Sequence, residues 1–499
     1  MVEALLQGTA TVFHPTILIG IFIGTVFGIV IGIIPAIGAM VACSLFLPFV
    51  YRMPPDLALS FLVAITSVTV TGGSITSILL GIPGTVPNAA TIIDGFPMAQ
   101  KGEGGRAIGA AVSSSMFGGI ISVFFALGMI PVIRPIVLTF RAPEMSMVIL
   151  MGLLFLAIIA AGSPIKGMIS GLWGLLLALI GFQGLTGAYR FTFGSMFLSD
   201  GIDLIAVALG LFALAEMFDM IVSGKTTIAK RETKVRMRHV LQGVKDVYVH
   251  KWLWLRSSLI GYIIGVIPGI GGDVAMFIAY GHAKHTSKNP DKFGAGCVEG
   301  VIGPESANNA CVAGDLLTTM VFGIPGGPVM AILLGGFLLV GVIPGPVMVK
   351  ENLPLVFTLL IGIAVANAIA GIICILVAPQ LIRVASIQID YLFVVVPVVV
   401  FVGAFVTESH VLNLIVAILF GLLGFLMKKF DYSRAAFVLG FVLGELFEFY
   451  LSRSLKIFGL TFFLSPACLT MIVIIIGVFS YPWFKKIVSR KFLKGSKKV

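Results

Sequence analysis

The residues best suited to chemistry in this chain gather at four Pro-Gly interruptions of otherwise apolar sequence. Gly28-Ile-Val-Ile-Gly32-Ile-Ile-Pro35-Ala-Ile-Gly38 recurs as Gly261-Tyr-Ile-Ile-Gly265-Val-Ile-Pro268-Gly-Ile-Gly271, at an offset of 233 residues (261 − 28). Each copy is followed by a second interruption, Gly81-Ile-Pro83-Gly84 and then Gly323-Ile-Pro325-Gly326. Polar side chains collect beside them: the hydroxyl run from Thr66 to Ser77 with Thr85, Asn88 and Thr91 in the first half, and Glu305, Asn308, Asn309, Asp315, Thr318 and Thr319 in the second. The N-terminal ends of broken helices offer free N–H groups and partial positive charge, which suits a carboxylate. Unwound carbonyls suit a small cation. Hydroxyls and amides complete either shell without adding a permanent charge. Gly73, Ser74, Thr76, Pro83, Gly84, Thr85, Asn88, Asn308, Asn309, Pro325 and Gly326 are therefore candidate contacts for an organic anion, and Pro35, Gly38, Pro268 and Gly271 for a coupling cation.

Plainer readings compete at each position. Gly24, Gly28 and Gly32 fall at the spacing that lets two helices pack closely. Serines and threonines between Thr66 and Ser77 can bond back to carbonyls of their own helix. Adjacent amides at Asn308 and Asn309 resist such a reading, because beside a break they leave several donors and acceptors to satisfy. Asp94, followed by Gly95, Lys101, Glu103 and Arg106, is expected in an interfacial loop, and Asp273 and Glu305 are expected to pair with basic residues at a boundary. The histidines are assigned no chemistry. The five cysteines have no paired spacing and read as small buried hydrophobes, with neither a disulfide framework nor a metal site.

The elements that must position these residues follow from composition. With 58% hydrophobic residues, 11% charged and a mean hydropathy of +1.11, the 499-residue chain reads as an all-α polytopic membrane protein. Apolar stretches near the ~20 residues needed to cross a bilayer recur throughout, for roughly 10–13 transmembrane segments. The ten-residue alternation of a β-barrel is not seen. The repeated breaks divide the chain into a first transmembrane repeat, 1–224; a basic linker, 225–256; a second repeat, 257–427; and a C-terminal hairpin with a basic tail, 428–499. Each break could be a through-going unwound helix or a re-entrant hairpin. The linker carries Lys225, Lys230, Arg231, Lys234, Arg236, Arg238, Lys245, Lys251 and Arg256, and the tail Lys485, Lys486, Arg490, Lys491, Lys494, Lys497 and Lys498, so both are expected on the cytoplasmic side. Topology and anionic lipid then account for the net charge of +11 without nucleic acid. The start lacks a basic segment, apolar core and cleavage site in series, so no cleaved signal peptide is expected.

Matching interruptions in two halves of a membrane chain point to a transporter site. Gly72-Gly-Ser-Ile-Thr-Ser-Ile-Leu-Leu-Gly-Ile-Pro-Gly84, Pro304-Glu-Ser-Ala-Asn-Asn309 and Gly444-Glu-Leu-Phe-Glu448 give the chain a resemblance over nearly its full length to the large membrane subunit of the tripartite tricarboxylate transporters, the TctA family. Ala36 and Thr71 depart from the pattern of that family, where glycine and an aromatic residue are usual. The resemblance implies an inner-membrane permease that imports di- or tricarboxylates on a sodium or proton gradient. It also implies a small four-span membrane subunit and an extracytoplasmic solute-binding protein as partners; a homodimer is a further possibility. Alternating access, elevator-like, is the mechanism that the repeats suggest. The alternatives are an uncoupled channel and an intramembrane enzyme. The second is disfavoured because Asp273 lacks the Gly-x-Gly-Asp spacing of aspartyl proteases, and neither clustered metal-binding acids nor a phosphate loop is present.

Overall fold

The repeated sequence folds into repeated backbone. The computed structural model describes residues 1–34, 37–159, 163–184, 186–223, 235–385 and 392–477. Pro35, the linker cations Lys225, Lys230, Arg231 and Lys234, and the tail cations from Lys485 to Lys498 lie outside the described residues. In the first half the central elements are α1 (Pro15–Ile33), α2 (Gly38–Val50), α3 (Pro55–Leu80) and α4 (Ala89–Gln100). Their counterparts are α5 (Lys251–Val266), α6 (Gly271–Thr286), α7 (Glu299–Phe322) and α8 (Pro328–Leu339). The helix before each first break ends in extended backbone, with φ −78° and ψ 116° at Ile34 and φ −83° and ψ 114° at Ile267. The next helix begins in each case on a glycine at φ 63°, Gly38 and Gly271. Left-handed glycines then close α3 and α7, with φ 68° and ψ 20° at Gly81 and φ 71° and ψ 21° at Gly323.

Contacts along the helices decide between through-going and re-entrant breaks. Gly20, Gly24, Gly28 and Gly32 of α1 meet Leu57, Phe61, Ile65 and Thr69 of α3 in that order, so these two helices run parallel. A chain can begin α3 at the level where α1 began only if α2 doubles back. It does: the Phe46 ring lies 4.8 Å from Phe27 and 5.4 Å from Phe61. Likewise Gly261 and Gly265 of α5 meet Ala307 and Cys311 of α7, while α6 returns with Ala279 and Ala283 against Gly303. Both breaks are therefore tips of helical hairpins. The stripe of small residues lets α1 ride on α3, the packing reading of Gly24, Gly28 and Gly32.

The two sets of helices run in opposite senses. α4 continues the direction of α3, with Gly95 on Ile78. Along that direction Asn309 bonds Thr71, Glu305 bonds Thr91 and Gly300 abuts Asp94, so the numbers on α7 descend as those on α3 and α4 rise.

Among the described residues seven helices of 18 residues or more are apolar enough to cross a membrane, including Gly104–Val137, Leu204–Ser223, Leu353–Leu376, Leu412–Lys429 and Arg434–Leu464 around the hairpins. This is an all-α polytopic membrane protein. Shorter apolar helices, α2 and α8 among them, supply half-spans. Helix Met237–Val249 lies across the start of Gly104–Val137, with Asp246 on Arg106 at 2.6 Å, and marks what we call the linker end. At the opposite end a small antiparallel hairpin, Gly181–Gln183 with Ala188–Arg190, is fixed by Arg190 on Glu448 at 2.7 Å. Four of the five cysteines are buried and all five are free.

Candidate functional site

Both hairpin tips, the Pro83-Gly84 break and the start of the helix that follows the Pro325-Gly326 break meet at one cavity of about 340 Å³, within the ~300–1,000 Å³ usual for small-molecule sites. Ile37, Gly38 and Ala39 line it from the start of α2, and Gly272 and Asp273 from the start of α6. Val86 and Pro87 line it from the single turn that leads into α4, and Pro328 and Val329 from the start of α8. Four N-terminal ends, two from each half, thus converge on one space. Their summed dipoles and free N–H groups favour negative charge there.

The wall between them is duplicated as well. Thr66 and Val70 of α3 line it, and so do Asn308 and Val312 of α7, each pair 242 residues apart (308 − 66 and 312 − 70). Thr76 and Thr318 share that offset and share a task. The first donates its hydroxyl to Ile33 O and the second to Val266 O at 2.9 Å, satisfying the carbonyl that each hairpin tip exposes. Gly84 and Gly326 are a further pair. A Cβ on Gly84 would collide with Gly73 and Gly32, and one on Gly326 with Asp315, so each second break presses its backbone into the wall. In the second half Gly269 N donates to Gly326 O at 2.7 Å, joining tip to break.

Of the sequence-predicted contacts, Gly38, Pro83, Gly84, Thr85 and Asn308 line the cavity. Asn88 stands behind Thr85: its Nδ2 donates to Val70 O at 3.0 Å and to Ser74 Oγ at 2.8 Å, while its Oδ1 accepts from the Thr85 hydroxyl. Gly73 gives this loop room, since a Cβ there would strike Asn88 and Thr85. Asn309 turns away and bonds Thr71 Oγ1 at 2.7 Å and Asn367. Pro325 is buried in the second break, and Pro268 and Gly271 flank the second tip. Asn308, 1% exposed, lines the cavity with its Oδ1 toward Gly272 near the start of α6. Thr66, Ser67, Thr69, Ser74 and Ser77 bond back to their own helix, as the plainer reading expects.

Three expectations about acids are overturned. Asp94 is not in a loop: it is fully buried on α4, where Oδ1 accepts from Gly294, Gly296 and Cys297 N–H at 2.9, 2.9 and 2.8 Å and Oδ2 from Tyr280 OH at 2.9 Å. Among the described residues Glu305 meets no basic residue; hydroxyls of Thr91 and Ser115 hold its carboxylate, Ser115 at 2.7 Å. Asp273 has no ion pair among the described residues either, because it lines the cavity rather than a boundary. The cavity also recruits residues that the sequence reading passed over as ligands: Asp315 and Cys311 from α7, and Glu216, Lys428 and Arg434 toward the linker end. Glu216 accepts from Lys428 Nζ at 2.6 Å and Arg434 Nη2 at 2.8 Å. The π-helical segment Leu209–Leu214 just before Glu216 is the kind of local irregularity that often marks a functional position.

Residues 18–439 match the tripartite tricarboxylate transporter TctA family. This chain belongs to the TctA family. It is 32% identical over 458 residues to an uncharacterised 52.8 kDa protein of Agrobacterium vitis named for the TAR-I ttuC' 3'region, covering 92% of this chain and 90% of the relative. A second A. vitis protein, named for the TAR-II ttuC' 3'region, is 33% identical over 197 residues, covering 40% of this chain and 81% of that protein. No solved structure matches. As a TctA protein the chain is a membrane component of a tripartite transport system, a transporter family rather than an enzyme family.

Proposed function

We propose that this TctA protein is the large permease subunit of an ion-coupled secondary transporter that imports di- or tricarboxylates. The observation that carries the reading is the convergence of four helix N-termini, two from each half, on one cavity. A carboxylate entering it gains backbone N–H donors with Thr66, Thr85 and Asn308 beside them, while the two basic residues of the cavity, Lys428 and Arg434, stay engaged by Glu216. A coupling cation bound at the hairpin tips, beside Gly38, Pro268 and Gly271, lets anion and cation shed water together at less cost than the anion alone.

The opposed hairpins act as inverted repeats, and alternating access follows from moving them against the surrounding spans. With the basic linker on the cytoplasmic side of the inner membrane, a cavity running from the tips toward Glu216 and Lys428 opens inward. An extracytoplasmic binding protein delivers substrate, and a small membrane subunit completes the assembly.

The test is uptake by proteoliposomes holding the assembled system. Asn308→Ala and Ser74→Ala should each lower carboxylate uptake about tenfold or more, the first by removing a cavity amide and the second by releasing Asn88, each equivalent to the loss of ~1.4 kcal/mol or more. Unchanged uptake in both variants removes the pocket from the pathway. An uncoupled channel is favoured instead if uptake never exceeds equilibrium under an imposed cation gradient.

A further inference from the structure

The duplication that built the cavity also shows where it departs from symmetry. Thr66 faces Asn308 across the two halves and Val70 faces Val312, neutral against neutral. Two positions break the rule. Asp273 corresponds to Met40 at the first offset (273 − 40 = 233), and Asp315 corresponds to Gly73 at the second (315 − 73 = 242). The first half forms the same hairpin and the same break with methionine and glycine there, so the architecture does not require either carboxylate.

Among the described residues neither carboxylate has a counter-charge. Asp315 is 7% exposed, lines the cavity, and among the described residues its carboxylate receives only the Cys311 thiol at 3.6 Å. Asp273 sits in the first turn of α6 but caps no N–H, and has no ion-pair or hydrogen-bond partner among the described residues. The two basic residues of the cavity, Lys428 and Arg434, are engaged by Glu216. Asn308, 1% exposed and on the same helix as Asp315, directs its Oδ1 toward Gly272, the neighbour of Asp273, and so adds an oxygen to this wall. An isolated buried carboxylate is costly without a partner. Among the described residues no group of three or more His, Cys, Asp or Glu converges, which disfavours a transition metal. Oxygen donors with little sulfur or nitrogen suit a hard cation.

We propose that Asp315, supported by the charge of Asp273 and by Asn308, holds a monovalent cation in the second-half wall of the cavity, and that this cation enters before the carboxylate. The proposal rests on the cavity being the carboxylate site. With the cation absent, two negative charges face the space and repel a di- or trianion; with it bound, the field of the four helix ends prevails. Coupling is then a matter of order rather than of a separate device.

The experiment uses the purified full chain in detergent, with sodium chloride compared against choline chloride at equal ionic strength. Without any carboxylate, sodium should raise the midpoint of thermal unfolding by about 3 °C or more in the wild type, and by less than a third of that in Asp315→Asn and Asp273→Asn. Citrate, titrated calorimetrically, should bind the wild type about tenfold more tightly in sodium than in choline, and sodium should make no difference in Asp315→Asn. An equal sodium shift in wild type and both variants overturns the site, as does the lack of any sodium shift in the wild type. A sodium shift that depends on Asp315, with no citrate binding under any condition, upholds the cation site and refutes the carboxylate reading instead.

Discussion

At the scale of single residues, the groups that matter are those whose partners come from distant sequence. Asp94 gathers three backbone N–H groups from the loop before α7 and the hydroxyl of Tyr280 on α6, so one side chain of the first half seats the second. Truncating it strands several buried donors, each worth ~1–3 kcal/mol. Asp94→Ala should therefore unfold markedly earlier in thermal melts, by the equivalent of about 3 kcal/mol, and Asp94→Asn, which keeps an acceptor oxygen, by less than half of that. Sequence alone could not reveal this role: an acid followed by glycine and three charged residues has the local character of a loop, and its ligands lie about two hundred residues away. Asn308 was legible, because two adjacent amides beside a break demand partners. Glu216 and Arg434 were not, since only tertiary packing brings them to the cavity.

At the scale of elements, the hairpin is the unit, and its tip is finished by a hydroxyl from the neighbouring long helix. Thr76 and Thr318 perform that task at equivalent positions. Thr76→Val and Thr318→Val keep shape and remove the bond, so each should cost about 1 kcal/mol in stability and lower uptake to a similar degree, measured by melting and by proteoliposome transport. A large effect from one and none from the other would mean that the two tips, though alike in backbone, are unlike in use. The Pro-Gly register announced both tips and their pairing. It did not distinguish a hairpin from a through-going helix, because proline and glycine interrupt either equally well. The direction of return emerges only from which glycine meets which residue on α3 and α7.

At the scale of the whole molecule, the two halves run in opposite senses and close around one space, with the later helices Leu412–Lys429 and Arg434–Phe458 adding charged residues toward the linker end. All-α membrane architecture was plain from composition and spacing, since nothing water-soluble hides so much apolar surface. The meeting of the halves was only implied by their likeness. The most direct test is protection of a cysteine placed at Thr85 in a background whose Cys297 and Cys311 are replaced by alanine. Citrate with sodium, at about ten times its Kd, should slow maleimide modification of T85C about tenfold and leave unchanged a cysteine at Phe193, which is 89% exposed at the far end. Equal rates at Thr85 with citrate demonstrably bound would place the anion elsewhere and contradict a shared cavity between the hairpin tips.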